Sequence, residues 1–294
     1  PPGWASVTPP AQAGSQAISW DRDAARFAGH VYVQEAASML PVAALVDAFE
    51  GGVAPHNVRV LDVTAAPGSK ASALAAWVAP SGGVVVANDI GDNRSKALAD
   101  NLLRVGAMPW SAVTQMNGLH VGRKWPEAFD AVLLDAPCSG ESMTRRGESL
   151  SERWAHSKTY VGYMANTQQQ MAEAAFQALR VGGVLVYSTC TMNPVENEGV
   201  MEHLEMTFGD AVERMPLSNL PGASSMATAD GHLRCWPHID DTQGFFVARV
   251  RKTKSVESAG QAESSSSRQS RPAKPMKALR GVKARAVEKT FRST

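Results

Sequence analysis

Residues Val58 to Asp89 read VRVLDVTAAPGSKASALAAWVAPSGGVVVAND. Val58 to Val63 is a short β-branched apolar run, and Val84 to Asn88 is a second, so both predict buried strands. Between them Ser69 to Ala79 is Ala-rich and helical. A strand, a helix and a strand in immediate succession make a βαβ unit, whose strands lie parallel. The turn from the first strand into the helix, Asp62-Val-Thr-Ala-Ala-Pro-Gly-Ser-Lys70, is built of small residues. Such a turn lets a ligand approach the backbone beyond the carboxyl ends of the strands, where doubly wound sheets bind their ligands. Asp89 ends the second strand, where a carboxylate accepts from ribose hydroxyls. The turn is neither GxGxxG nor a Walker A sequence, so a nucleoside cofactor without phosphates, such as S-adenosylmethionine, suits it better than a pyrophosphate. The competing reading is a turn chosen for helix–sheet packing beside an incidental Asp.

The same alternation continues outward. Ala36, Met39, Leu40, Ala43, Ala44 and Val46 predict a helix upstream. Downstream, a helix over Asn93 to Val105 leads to a strand over Ser111 to Gln115 and another over Ala131 to Leu134. A helix over Met164 to Leu179, closing at Gly182-Gly183, precedes a strand over Val184 to Tyr187, and Phe245 to Val250 reads as a closing strand. The expected fold class is α/β with a doubly wound, mostly parallel sheet. Residues 1–25, with Trp4 and Trp20, read as an irregular lead-in and residues 26–253 as the folded body. Residues 254–294 read as a disordered tail rich in Ser, Lys and Arg, with a short helix near Lys283 to Lys289. Beginning Pro1-Pro2-Gly3, the chain is expected to be a fragment or a processed product.

The 294 residues carry a net charge of +1, an average of two unlike parts. Residues 1–250 hold 17 Lys and Arg against 25 Asp and Glu, net −8, whereas residues 251–294 hold 12 against 3, net +9. An acidic body with a basic arm suits a polyanionic partner. No apolar run approaches the ~20 residues needed to span a bilayer. Three cysteines without CxxC spacing indicate neither a disulfide framework nor a zinc site. The expected setting is intracellular, cytoplasmic first, with nuclear or organellar locations open; a monomer without metal is the default.

Two further motifs carry chemistry. Asp135-Ala-Pro-Cys-Ser-Gly140 follows the fourth strand, and Ser188-Thr-Cys-Thr191 follows the fifth, succeeded by Asn193-Pro194-Val-Glu196-Asn-Glu198. A lone Cys is usually a small buried hydrophobe, but two, each among Ser, Thr, Gly or Pro at a strand's carboxyl end, are not in core-like surroundings. The thiolate is the reactive form, and a nearby helix N-terminus favours it. Asn193 as N-cap with Pro194 at the first helical position predicts such a helix, with Glu196 and Glu198 as first-turn acids. A thiolate beside a methyl donor suits carbon 5 of a pyrimidine. Thiolate attack at carbon 6 breaks the aromatic conjugation and makes carbon 5 enamine-like. Asp135 is the candidate acid against N3, and Cys138 the candidate helper in expelling the thiolate. The base must be single-stranded or flipped out to present this face.

These residues resemble the RNA cytosine-C5 methyltransferases of the Fmu/Sun type. The likeness runs through Gly29 to Pro41, Asp62 to Lys70, Asp135 to Gly140, Ser188 to Glu198, Cys235 to Ile239 and Gly244 to Arg249, about residues 20–252 in the family's order. It implies a seven-stranded, Rossmann-like sheet of the class I S-adenosylmethionine-dependent methyltransferase type over residues 26–253. It makes Cys190 the nucleophile, Cys138 the residue assisting release, and Asp135 a residue near the reacting centre. The cofactor is expected against Ala65, Ala66, Pro67, Gly68, Ser69, Lys70, Asp89, Arg94 and Asp135. The family's usual Asp-Gly after the third strand is Asn117-Gly118 here, and the Asn117 carbonyl can still accept from the adenine amino group. The fit is to the bacterial branch that modifies small-subunit ribosomal RNA, with transfer RNA, or a weakly catalytic RNA-binding or assembly factor, as alternatives.

Arg145 and Arg146 are the favoured phosphate contacts, ahead of Arg153 and Lys158, with a solvated surface as the competing reading. Trp154 and Trp236-Pro-His238 are candidates for stacking on bases, although core packing is the ordinary role of each Trp. Cys235 is expected to pack, and His238 has no metal partner at ligand spacing.

Overall fold

The computed structural model describes residues 24–140 and 158–256. Five parallel strands, β1 (Arg59–Asp62), β2 (Val84–Asp89), β3 (Ser111–Gln115), β4 (Phe129–Asp135) and β5 (Leu179–Thr189), alternate with helices. Three antiparallel strands, β6 (Val212–Arg214), β7 (Leu233–Cys235) and β8 (Phe245–Lys252), finish the sheet. The order is β3-β2-β1-β4-β5-β8-β6, with β7 also on β8. The order reverses between β1 and β4, and that switch point opens the ligand crevice of a doubly wound sheet. The helices are α1 (Ala24–Phe27), α2 (Leu40–Asp47), α3 (Ser69–Val78), α4 (Asp92–Arg104), α5 (Val121–Lys124), α6 (Lys158–Ala178), α7 (Glu198–Phe208) and α8 (Pro237–Asp240).

Both faces of the sheet are covered, which is why its central strands read as unbroken apolar runs. Val60, Ala131, Leu133, Val184 and Val186 face one core with Leu45 of α2, Leu74 of α3 and Leu98 of α4. Their neighbours Leu61, Val132, Leu134, Leu185 and Tyr187 face the other, with Phe176 of α6 and Leu204 of α7. Arg249 of β8 pins α2: Nη1 donates to the Ala44 carbonyl (2.7 Å) and to Asp47 (2.9 Å), a cation at a helix C-terminus. Among the described residues no helix is long and apolar enough to cross a membrane.

Three expectations are corrected. The sheet has eight strands among the described residues instead of seven, because the outer edge of β8 is shared: Val212 pairs with Lys252 at one end, and Cys235 with Phe245 at the other. β6 and β7 are three residues each, too short for a period-2 pattern to register. The Gly182-Gly183 pair does not close the helix. α6 ends at Ala178 and β5 has begun at Leu179, with the register jumping from Phe129↔Leu179 to Ala131↔Val184, so the glycines lie inside an irregular strand. A Cβ on Gly183 would come 2.9 Å from the Arg180 carbonyl oxygen, closer than side chains approach. The third correction lies beyond Cys190, where the helix starts at Glu198 rather than Pro194. Asn193 Oδ1 accepts from Val195 N (3.1 Å) in a local turn, and buried Asn197 ties the segment back, accepting from Thr189 Oγ1 (2.6 Å) and donating to the Thr191 carbonyl (3.1 Å).

Candidate active site

The predicted elements converge on the carboxyl edge of the sheet. The β1–α3 turn is held from below: Ala65 N donates to the Asn88 carbonyl (2.7 Å), and the Asn88 side chain gathers the ends of three strands, donating to Val63 and Met116 and accepting from Thr114. Asn101 of α4 donates to the Pro67 carbonyl (2.9 Å). Gly68 caps α3 at φ 112°, where a side chain is strained and its Cβ would press on Leu98 Cδ1 at 3.1 Å. The turn therefore offers bare backbone to the crevice. Asp89, 3% exposed, accepts from Ala66 N (3.2 Å), Gly91 N (3.1 Å) and twice from Arg94. Arg94 also donates to the Ala66 carbonyl (3.0 Å), so it closes over Asp89 and the turn together. Asn117 Oδ1 caps a short 3-10 turn by accepting from Leu119 N (3.0 Å), which leaves one of its lone pairs.

Under the turn lies Asp62, 1% exposed. No well-formed hydrogen bond reaches either carboxylate oxygen among the described residues, although the Thr64 N–H pulls the carboxyl pKa down. Burial pushes its pKa up to about 7, against the lowering pull of Lys70. Lys70, nearly buried on the first turn of α3, instead reaches Asp135 at the end of β4, Nζ to Oδ2 2.7 Å. Ser188 Oγ donates to the other Asp135 oxygen (2.8 Å), and Lys70 Nζ also lies 5.7 Å from the Phe245 ring centroid.

Beside this ion pair stand the two thiols. Cys138 Sγ and Cys190 Sγ are 3.0 Å apart although 52 residues separate them. The hydrogen bond from Cys138 holds the Cys190 pKa below the usual thiol range, with Lys70 assisting, against burial and the Asp135 charge. The same bond, together with burial, drives the Cys138 pKa well up. Of the two thiols, Cys190 is therefore the more readily ionised and Cys138 the one held protonated. A second tie joins the loops, Ser139 Oγ to Thr191 Oγ1 at 3.0 Å.

A family model described as 16S rRNA methyltransferase RsmB/F matches residues 53–251. This chain belongs to that family. Ribosomal RNA small subunit methyltransferase F of Serratia proteamaculans (strain 568) is 46% identical over 244 residues, 83% of this chain and 49% of that protein. The Escherichia coli O1:K1 / APEC protein of the same name is 47% identical over 234 residues, 79% of this chain and 47% of that one. The RsmB/F chain therefore spans about half the length of the curated relatives it matches. Among solved structures, NSun6 from Pyrococcus horikoshii with SFG aligns with a TM-score of 0.66 at 28% identity, over 80% of this chain and 56% of that one. A methyltransferase homolog protein from the same organism aligns with a TM-score of 0.62 at 30% identity, over 81% and 73%.

Set against the sequence, this RsmB/F chain brings Cys138, Cys190, Asp135 and Lys70 into one cluster, with Asp89 and Ala65 to Ser69 along the same crevice. Arg145, Arg146, Arg153, Trp154 and the Lys158 side chain lie outside the described residues. Cys235 packs, as expected: it is buried, its pKa is pushed up to about 12 by burial, and it contacts Met226. Trp236 is not in the core. It is 42% exposed on an edge beside His238, over Arg234 at 5.6 Å. Sequence reasoning missed the partnership of Lys70 with Asp135, the open valences of Asp62, and two buried residues behind the Cys138 loop, Gln168 and Glu196. The Gln168 signal was available only as a polar side chain on an apolar helix face, and Glu196, expected as a first-turn acid, lies instead in the turn before the helix.

Proposed function

We propose that this chain transfers a methyl group from S-adenosylmethionine to carbon 5 of a cytosine in ribosomal RNA, through a covalent bond to Cys190. The observation that carries this reading is the thiol pair at 3.0 Å beside the Lys70–Asp135 ion pair, at the edge where the β1–α3 turn bares its backbone. The turn, Asp89 and Asn117 fit a nucleoside cofactor, and the unpartnered buried Asp62 carboxylate beneath it leaves acceptor capacity for a cationic one. Arg94 occupies two acceptor positions on Asp89, and its side chain, 61% exposed, is free to swing off when ribose hydroxyls arrive. When bound, S-adenosylmethionine supplies an electrophilic methyl group.

Cys190 adds to carbon 6 of the flipped-out base, and the broken conjugation lets carbon 5 attack. Lys70 Nζ and Ser188 Oγ both donate to Asp135, so a proton passed through Asp135 to N3 is replaced from the Lys70 ammonium. Bonding Cys190 to carbon 6 removes the negative charge that kept Cys138 protonated. Cys138 can then release its own proton to solvent, and the thiolate so formed takes the carbon 5 proton while Asp135 recovers the proton from N3. As that C–H bond breaks, its electrons form the C5=C6 double bond, and the C6–S pair returns to Cys190 as thiolate. The test is trapping: with a 16S ribosomal RNA transcript and cofactor, Cys138→Ala accumulates a covalent protein–RNA adduct, while Cys190→Ala gives neither adduct nor 5-methylcytosine. No adduct from Cys138→Ala would sink the mechanism. Methylation of a transfer-RNA transcript in place of the ribosomal one would move the substrate to the family's other branch.

A further inference from the structure

The Cys138 loop is gripped from behind by two side chains that the mechanism above does not use. Gln168 of α6 and Glu196, from the segment after Cys190, are both 0% exposed. Gln168 Nε2 donates to the Pro137 carbonyl (2.8 Å) and to Glu196 Oε2 (2.8 Å), while Glu196 Oε2 also accepts from Ser139 N (2.9 Å). The residues before and after Cys138 are therefore both fixed, and the two holders are fixed to each other. Glu196 is anchored in turn, since Tyr187 Oη donates to its backbone carbonyl (2.6 Å). Two acceptors facing one Gln168 nitrogen dictate the orientation of that amide.

A carboxylate taken wholly out of water is an expensive way to hold a loop. Apolar residues of similar size generally stabilise a buried site as well or better. What the carboxylate and amide supply, and apolar side chains do not, is direction: each bonds one peptide group flanking Cys138. We infer that Glu196 and Gln168 are positioning residues that keep the Cys138 thiol against Cys190 Sγ, and so serve release of the methylated base. The contact itself is a matter of geometry, and its catalytic consequence rests on the Cys190 adduct proposed above.

The experiment uses the full 294-residue chain carrying Gln168→Met, Glu196→Gln or Cys138→Ala. Gln168→Met keeps the volume and loses both donations. Glu196→Gln can still accept from both Ser139 N and Gln168 Nε2 at one oxygen, but it gives up the negative charge that strengthens those bonds and buries an NH2 where Oε1 has no partner. Iodoacetamide labelling of Cys190, followed by mass spectrometry against pH without RNA or cofactor, reads the thiol contact alone. Both clamp variants are expected to need a higher pH for labelling, moving toward the Cys138→Ala profile. With a 16S ribosomal RNA transcript and S-adenosylmethionine, they are expected to hold about tenfold more adduct than the unaltered chain, the effect of one weakened charge-assisted hydrogen bond. S-adenosylhomocysteine affinity stays the same, which separates this effect from general loosening. Unchanged labelling profiles in both folded variants overturn the inference, even if turnover falls. Should Cys138→Ala itself build no adduct, the mechanism fails while the labelling arm still decides whether the clamp exists. If Glu196→Gln does not fold, by circular dichroism, Gln168→Met alone decides.

Discussion

Replacing Asp62 by Asn should stabilise the protein, and increasingly so as pH rises. The carboxylate lies at the end of β1, 1% exposed, with no hydrogen bond closed to either oxygen. Burial raises its pKa from an ordinary 3.8 to about 7. A raised carboxyl pKa means that the folded state keeps a proton which the unfolded chain gives up. Stability is therefore greatest below the unfolded value and declines as pH climbs from about 4 to about 7, levelling off above that. The gap between 3.8 and about 7, at 1.36 kcal/mol per pH unit, is roughly 4 kcal/mol, with no discount for solvent because the group is buried. Asn fills the same space without titrating. Urea unfolding of both proteins at pH 5 and pH 8 should show the variant's advantage growing by about 3 kcal/mol, since part of the loss has already occurred at pH 5. A constant difference between the two proteins at both pH values would refute the reasoning and place a compensating donor on Asp62. Affinity for S-adenosylhomocysteine, measured by calorimetry on the same samples, should fall in the variant if the carboxylate receives a cationic group.

Lys70→Met removes the cation 2.7 Å from Asp135 and one of the charges favouring the Cys190 thiolate. Turnover should drop by about 100-fold or more, and iodoacetamide labelling of Cys190 should require higher pH; either quantity unchanged would remove Lys70 from the centre. Arg249→Met deletes the bonds to Ala44 and Asp47. Asp47 is partly exposed and can rehydrate, so the expected loss is about 2 kcal/mol, seen as a lower urea midpoint with cofactor affinity retained. Removing residues 257–294, which hold 9 Lys and Arg against 3 Glu, should weaken RNA binding and flatten its salt dependence while leaving cofactor binding intact. Equal RNA affinity at low salt would demote the tail.

The parallel half of the sheet was legible because burial on both faces writes strands as plain apolar runs, and small-residue turns mark the crevice. Ser111–Gln115 coincides with its expected bounds, and α4 differs by one residue at each end. Shorter elements were not legible. β6 and β7 are positioned by pairing with β8, not by any pattern of their own. Pro194 looked like a helix start, because local propensity cannot foresee Asn197 being drawn into the buried network with Thr189 and Thr191. At the site, the motifs announced the thiols and Asp135, but the partners lie far along the chain. Lys70 meets Asp135 across 65 positions, and Gln168 meets Pro137 across 31. Such pairings follow from topology, which the strand order supplies and residue spacing does not.

β8, the last strand among the described residues, does not end the sheet; it inserts between β5 and the outer pair β6 and β7. A chain leaving the ribosome can assemble β1 to β5 in sequence, but the outer edge of β5, the strand leading into Cys190, stays uncovered until Phe245 to Lys252 emerges. An open strand edge is both a template for mispairing and a poor foundation for a loop. The Cys190 loop is therefore among the last parts to be secured, and a nascent chain stalled before residue 245 would carry both cysteines with the strand behind one of them still unsupported.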